Sequence, residues 1–198
     1  MGSLSNDDTP HLNMIQYWHE TFEQIFEDFS PDEWRLEPTN KPMPKGWRTF
    51  KDSAKVKFAC DCDNSWTSMK GVVIFWFNKI GDKPEVKQEK DQGDSGDSEA
   101  GASRRENGSV YSLRFRLYGQ KCKISEGCDN EEFQNPKWYS EEVEKVLNNV
   151  HKEIGEVFYG FPKPVMDENR RRGRPRRPHD SSRCQACQEG QCSSNRSR

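Results

Sequence analysis

Seven cysteines and one histidine are the side chains of this sequence whose types and spacing can do chemistry. They fall as Cys60-x-Cys62, Cys122-x5-Cys128 and His179-x4-Cys184-x2-Cys187-x4-Cys192. Zinc takes four thiolate or imidazole ligands in a tetrahedron, and paired cysteines brought together by neighbouring elements supply them. Cys60, Cys62, Cys122 and Cys128 form the first expected site, although one pair is tighter and the other looser than the usual two to four intervening residues. His179, Cys184, Cys187 and Cys192 form the second, a Cys3His set in compact spacing. A solvated His179, unliganded buried thiols and ligands interleaved between the two groups are the alternatives. Two Zn2+ ions are therefore expected as cofactors.

The compartment bears on this reading. The opening MGSLSNDDTP has neither a basic n-region nor an apolar stretch, and Asn6 stands where a myristoylation motif requires Ser or Thr. A cytoplasmic, reducing environment is expected, in which an odd number of cysteines is better explained by metal than by disulfides. The longest purely apolar run, Val72 to Phe77, falls far short of the roughly 20 residues of a membrane-spanning helix. No enzyme is expected, since thiolates filling four positions leave a metal no open site for substrate. His11, His19 and His151 stand apart from one another and from the cysteines.

The elements that position these ligands can be read from periodicity. Ile15, Trp18, Phe22, Ile25, Phe26 and Phe29 recur at helical spacing, predicting an amphipathic helix over 14–29. Ser30-Pro31 is a second start signal, so a short helical turn is expected over 31–36, then a loop over 37–46. Val56–Cys60 and Trp66–Phe77 predict a hairpin with cysteines near its tip. Over 110–122, Tyr111, Leu113, Phe115 and Leu117 alternate with polar neighbours, predicting an antiparallel strand. A closing helix starts at Ser140, read as its N-cap, carries Val143, Val146, Leu147, Val150 and Ile154 on one face, and stops at Gly160.

The fold class is α+β: a small antiparallel sheet with zinc-bearing strand ends, flanked by N-terminal and C-terminal helices. Residues 1–13 are expected to be disordered, 14–160 to form the zinc-binding domain with a disordered insertion at 81–109, 161–178 to be a Pro/Arg linker, 179–192 a zinc knuckle and 193–198 a tail.

The net charge of −2 hides an asymmetry. Residues 163–198 carry ten Lys or Arg against four Asp or Glu, a local +6, leaving −8 on the rest. Arg170, Arg171, Arg172, Arg174, Arg176 and Arg177 offer six guanidiniums that suit RNA phosphates or an anionic membrane surface. A solvated linker or a nuclear import signal is the alternative. Trp66 and Tyr118 could stack bases, but in strands such residues more often belong to the core.

In order along the chain, Phe58-x-Cys60, Ser65-Trp66, the run Arg116 to Cys122 and the run His179 to Cys192 together resemble the receptor-transporting protein family, which carries a three-CxxC zinc finger. Trp18 and Phe22, Gly46-Trp47 and Tyr159-Gly160 extend the resemblance over most of 14–192. The first two pairs depart from the family's Cys-x2-Cys. Family members commonly end in a hydrophobic anchor, which this sequence lacks at Arg198. The resemblance implies a zinc-binding accessory protein that assists folding and cell-surface delivery of G-protein-coupled, chemosensory receptors. Its alternative implication is an RNA-binding, interferon-inducible antiviral protein.

Overall fold

The computed structural model describes residues 14–84, 108–123, 128, 130–162 and 179–192. The expected disordered N-terminus, most of the 81–109 insertion, the arginine run and the last six residues lie outside the described residues.

The architecture is α+β. Five strands, β1 (Glu33–Pro38), β2 (Arg48–Ala59), β3 (Ser65–Asp82), β4 (Ser109–Leu117) and β5 (Lys137–Trp138), form one sheet in the order β1-β4-β3-β2-β5. Three pairings are antiparallel, and β1 joins β4 in parallel. Helices α1 (Met14–Phe26) and α2 (Ser140–Phe158) cover one face. A third, short helix, α3 (Gln185–Gln188), lies with the C-terminal cysteines on the other.

The period of two along the strands sorts the side chains between these faces. Val73, Phe75 and Phe77 of β3 and Leu113 and Phe115 of β4 point to the helices and are buried. Trp18, Phe22 and Phe26 of α1 and Val143, Val146, Leu147, Val150 and Ile154 of α2 close on them. Trp18 stacks on the Phe115 ring at 4.9 Å and meets Trp138 edge-on at 5.5 Å. These large rings fill the volume between helix and sheet, and their burial supplies most of the stabilisation of the domain.

Residues 31–36 do not form a helical turn. From Glu33 onward they form β1, in which Trp34 and Leu36 are buried while Arg35 and Glu37 face solvent. Trp34 stacks on Tyr111 of the partner strand at 4.5 Å, and this non-local contact overrides the local Ser-Pro start signal. The N-terminal helix ends at Phe26 and passes into a 3-10 turn over Glu27–Phe29. The helix α2 begins at Ser140, but its N-cap is Tyr139 and no side chain caps it. Gly160, with φ of 68°, ends that helix as expected.

The hairpin is longer than its apolar residues indicate. β2 starts at Arg48, and β3 continues to Asp82, whose end pairs with Ser109 at the start of β4. The limits of the expected insertion, residues 81–82 and 109, are thus part of the sheet. Gly71 of β3 sits where a Cβ would come within 2.4 Å of Val56 Cγ2, next to the irregularity between Ala54 and Val56. Only glycine lets the two strands approach this closely.

Candidate metal centres

The first cluster is built by the β2–β3 turn and the segment after β4. Cys60 follows the last residue of β2, and its N–H donates to Asn64 O at 2.9 Å, closing the turn. Asp63 adopts a left-handed φ of 62° there, a conformation Asp tolerates better than most residues. The turn aims Cys60 and Cys62 at Cys122 and Cys128, and the four Sγ atoms lie within 4.8 Å of one another. Cys60 is 3.6 Å from Cys128, and Cys62 is 3.7 Å from Cys122. A tetrahedron with Zn–S bonds of about 2.3 Å has S···S edges of about 3.8 Å. Two of the S···S distances match that edge, and the four thiols are grouped closely enough to hold zinc. Asn64 Nδ2 donates to Cys122 Sγ at 3.3 Å, a contact that orients a ligand sulfur and offsets its charge.

The second cluster is built by residues 179–192 alone. Asp180 caps a 3-10 turn over Ser181–Arg183 by accepting from the Ser182 N–H, and Cys184 is the N-cap of α3. Gly190, with φ of 68°, turns the chain back so that the Cys192 N–H donates to Ala186 O at 3.0 Å. His179 Nε2 lies 3.1 Å from Cys187 Sγ and 3.7 Å from Cys192 Sγ. The four donor atoms again lie within 4.8 Å. An N···S edge in a zinc tetrahedron is about 3.6 Å, so this Cys3His set fits as well.

Protonation bears on how such clusters fill. Burial, then the neighbouring sulfurs of Cys192 and Cys184, push the Cys187 thiol up to about 12. At Cys128 the Asn130 backbone N–H favours the thiolate, but the Cys62 sulfur, burial and the other two thiols outweigh it and push that thiol up to about 12. Crowded thiols cannot all ionise without a cation among them, so metal entry displaces their protons. His179 is shifted the other way: burial and then the Lys70 charge hold it below the usual imidazole range, which favours the neutral ligating form.

Residues 179–192 pack against the sheet. Cys184, Ala186, Cys187 and Cys192 are buried with Ile74 and Tyr118, flanked by Val72 and Trp76. Lys51 Nζ donates to Gln191 O and Oε1 at 3.2 and 2.8 Å, and Arg116 meets Glu189 at 2.7 Å. Gln120, which spacing arguments pass over, forms isolated bridges with both Cys184 and Gln134. Its side chain accepts from Trp66 Nε1 at 3.1 Å and donates to Ser68 Oγ at 3.1 Å.

The other singled-out residues have structural settings. Trp66 is half-buried and stacks one face on Phe58 at 5.3 Å, and Tyr118 is only 3% exposed beneath the second cluster, so Tyr118 offers no free face for a base. His151 is buried on α2 and stacked on Phe29 at 4.4 Å, and His19 is half-buried on α1. Arg170, Arg171, Arg172, Arg174, Arg176 and Arg177 lie outside the described residues. Among the described residues, no helix is long and apolar enough to cross a membrane.

Residues 53–190, which include the first cluster and every donor of the second except Cys192, match the family model described as a zinc-binding domain, the three-CxxC zinc ribbon. Mouse (Mus musculus) receptor-transporting protein 4 is 27% identical over 179 residues, 86% of this chain and 61% of that protein. Mouse receptor-transporting protein 3 is 24% identical over 195 residues, 91% of this chain and 34% of that protein. The chain thus spans less than two thirds of either relative's length. No solved structure matches.

Proposed function

The chain belongs to the three-CxxC family of zinc-binding domains, and from that membership we propose that it is a zinc-stabilised accessory protein that works by binding rather than by catalysis. Cys60, Cys62, Cys122 and Cys128 would hold one zinc, and His179, Cys184, Cys187 and Cys192 a second. The observation that carries this reading is that each cluster offers four protein ligands at tetrahedral spacing. Such a set closes the coordination sphere, so the metal would fix the shape of the sheet ends rather than present itself to a substrate.

For the partner, we propose a G-protein-coupled receptor that the protein helps to fold and deliver to the cell surface, acting at the cytoplasmic face of membranes. The similarity to two proteins named as receptor-transporting supports it. The test is co-expression with an epitope-tagged chemosensory receptor and measurement of surface receptor by flow cytometry. Surface signal should rise with the intact chain and not with Cys60→Ser/Cys62→Ser. Equal surface signal with and without the intact chain would overturn the receptor assignment.

The alternative, an RNA-binding antiviral protein, comes from the family resemblance, with the arginine run at 170–177 as the feature that suits RNA phosphates. The described sheet adds little to it. Arg114 lies over Trp47 at 5.1 Å and Arg116 over Tyr118 at 4.8 Å, but their charges are engaged by Glu37 and Glu189. Ultraviolet crosslinking of RNA to the intact chain, compared with a variant carrying serine at the six arginines, decides between the readings. Arginine-dependent attachment would favour RNA.

A further inference from the structure

We infer that the two metal clusters are coupled, so that filling either one raises the affinity of the other. The inference rests on the zinc reading above and concerns how the two sites communicate. The coupling element is the four-residue segment from Gly119 to Cys122, which ends in a donor of the first cluster and pairs along its length with the second. Lys121 N–H donates to Arg183 O at 2.9 Å, and Gln185 N–H donates to Gly119 O at 3.1 Å. Gly119 N–H returns a bond to Gln185 Oε1 at 2.9 Å. Gln120 bridges Cys184 directly, so a residue two positions before Cys122 is paired with a donor of the other cluster.

Neither side of this contact is readily ordered alone. Between His179 and Cys192 the only apolar residue other than cysteine is Ala186. Without metal and without the Ile74–Tyr118 surface beneath it, the segment has no core to offset the entropy of ordering it. On the other side, Gly119 is so close to residues 133–134 that a Cβ there would lie 2.7 Å from Gln134 O. The segment is therefore clamped between Gln134 and 183–185. If 179–192 comes undone, Gly119 and Lys121 lose backbone partners, Ile74 and Tyr118 are uncovered, and the segment bearing Cys122 is held from one side only.

A second ligand that binds an already ordered segment does not bear the ordering cost again, which is positive coupling. Reciprocity follows from linkage: each cluster must raise the other's affinity by the same factor. Coupling of this kind typically amounts to about 5- to 150-fold.

The experiment removes zinc stepwise with a chelator from the full chain and counts bound ions by native mass spectrometry. The intact chain should pass from two zinc ions to none with little one-zinc species. Gln185→Ala keeps every donor side chain but removes the Gln185 Oε1 acceptor of the Gly119 N–H, and its one-zinc species should accumulate. With one cluster disabled, by Cys184→Ser/Cys187→Ser or by Cys60→Ser/Cys62→Ser, zinc affinity at the remaining cluster should fall at least about fivefold. Abundant one-zinc species from the intact chain, or a remaining cluster of unchanged affinity in the serine variants, would overturn the coupling while leaving the zinc reading intact. An intact chain that carries no zinc at the outset would overturn both.

Discussion

Cys60 Sγ and Cys128 Sγ lie 3.6 Å apart across 68 positions of sequence, one after β2 and the other beyond the end of β4. An ion bound there would tie the tip of the hairpin to the segment that leaves the sheet. Removing zinc should therefore lower the stability of the whole domain. Chelation should drop the Tm measured by circular dichroism, by about 2–4 °C for each kcal/mol lost in a chain of this size. An unchanged Tm after demonstrated loss of zinc would mean that the clusters do not contribute to the fold.

Trp18 is 1% exposed and touches Phe75, Phe115 and Trp138. Trp18→Ala leaves a large cavity between α1 and the sheet and should cost about 3–5 kcal/mol, measured by denaturant unfolding. Ile15, on the same helix but 61% exposed, serves as the control: Ile15→Ala should change stability by about 0.5 kcal/mol or less.

Gly71→Ala should destabilise by about 1–3 kcal/mol, because the added methyl enters the space of Val56. Val56→Ala opens that space, so the double variant should be more stable than the sum of the two single changes indicates. Strict additivity in the double-mutant cycle would contradict the contact.

His151 is held below the usual imidazole range, first by burial, against the opposing pull of Asp28 and with a smaller push from Lys152. Its Nε2 has no hydrogen-bond partner among the described residues and lies 3.8 Å from Asp28 Oδ2. With the folded-state pKa below the unfolded value of about 6.5, the neutral ring contributes stability above that pH, and this is lost as pH falls through the folded value. His151→Phe should therefore show a smaller fall in Tm between pH 7 and pH 5 than the parent chain, both measured with zinc present. Identical pH profiles would show that His151 does not titrate on unfolding.

The candidate metal-binding groups were legible from sequence because closely spaced cysteines fall at the ends of predicted strands and in a compact Cys3His run, and both sets of four residues come together as expected. The helices were legible because Trp18, Phe22 and Phe26 and the valines of α2 keep one period over several turns. β1 was not. Trp34 and Leu36 do alternate with Glu33, Arg35 and Glu37, but the Ser30-Pro31 start signal took precedence, and the place of β1 beside β4 depends on Trp34 meeting Tyr111, a contact no local pattern encodes. The docking of 179–192 on the sheet had a signal that went unused. An unbroken apolar run such as Val72–Phe77 indicates a strand covered on both faces, and Ile74 is indeed buried beneath the second cluster. Gln120 lies in the run Arg116 to Cys122 that carries the family resemblance, but spacing gave it no role, since a single glutamine looks like solvent-facing surface until its four partners are seen.

The most direct test is the zinc content of the full chain, purified without chelator and measured by elemental analysis against protein concentration. Two ions per chain is the predicted result. One or fewer would contradict the assignment of two closed clusters, and with it the view that metal shapes the binding surface of this protein.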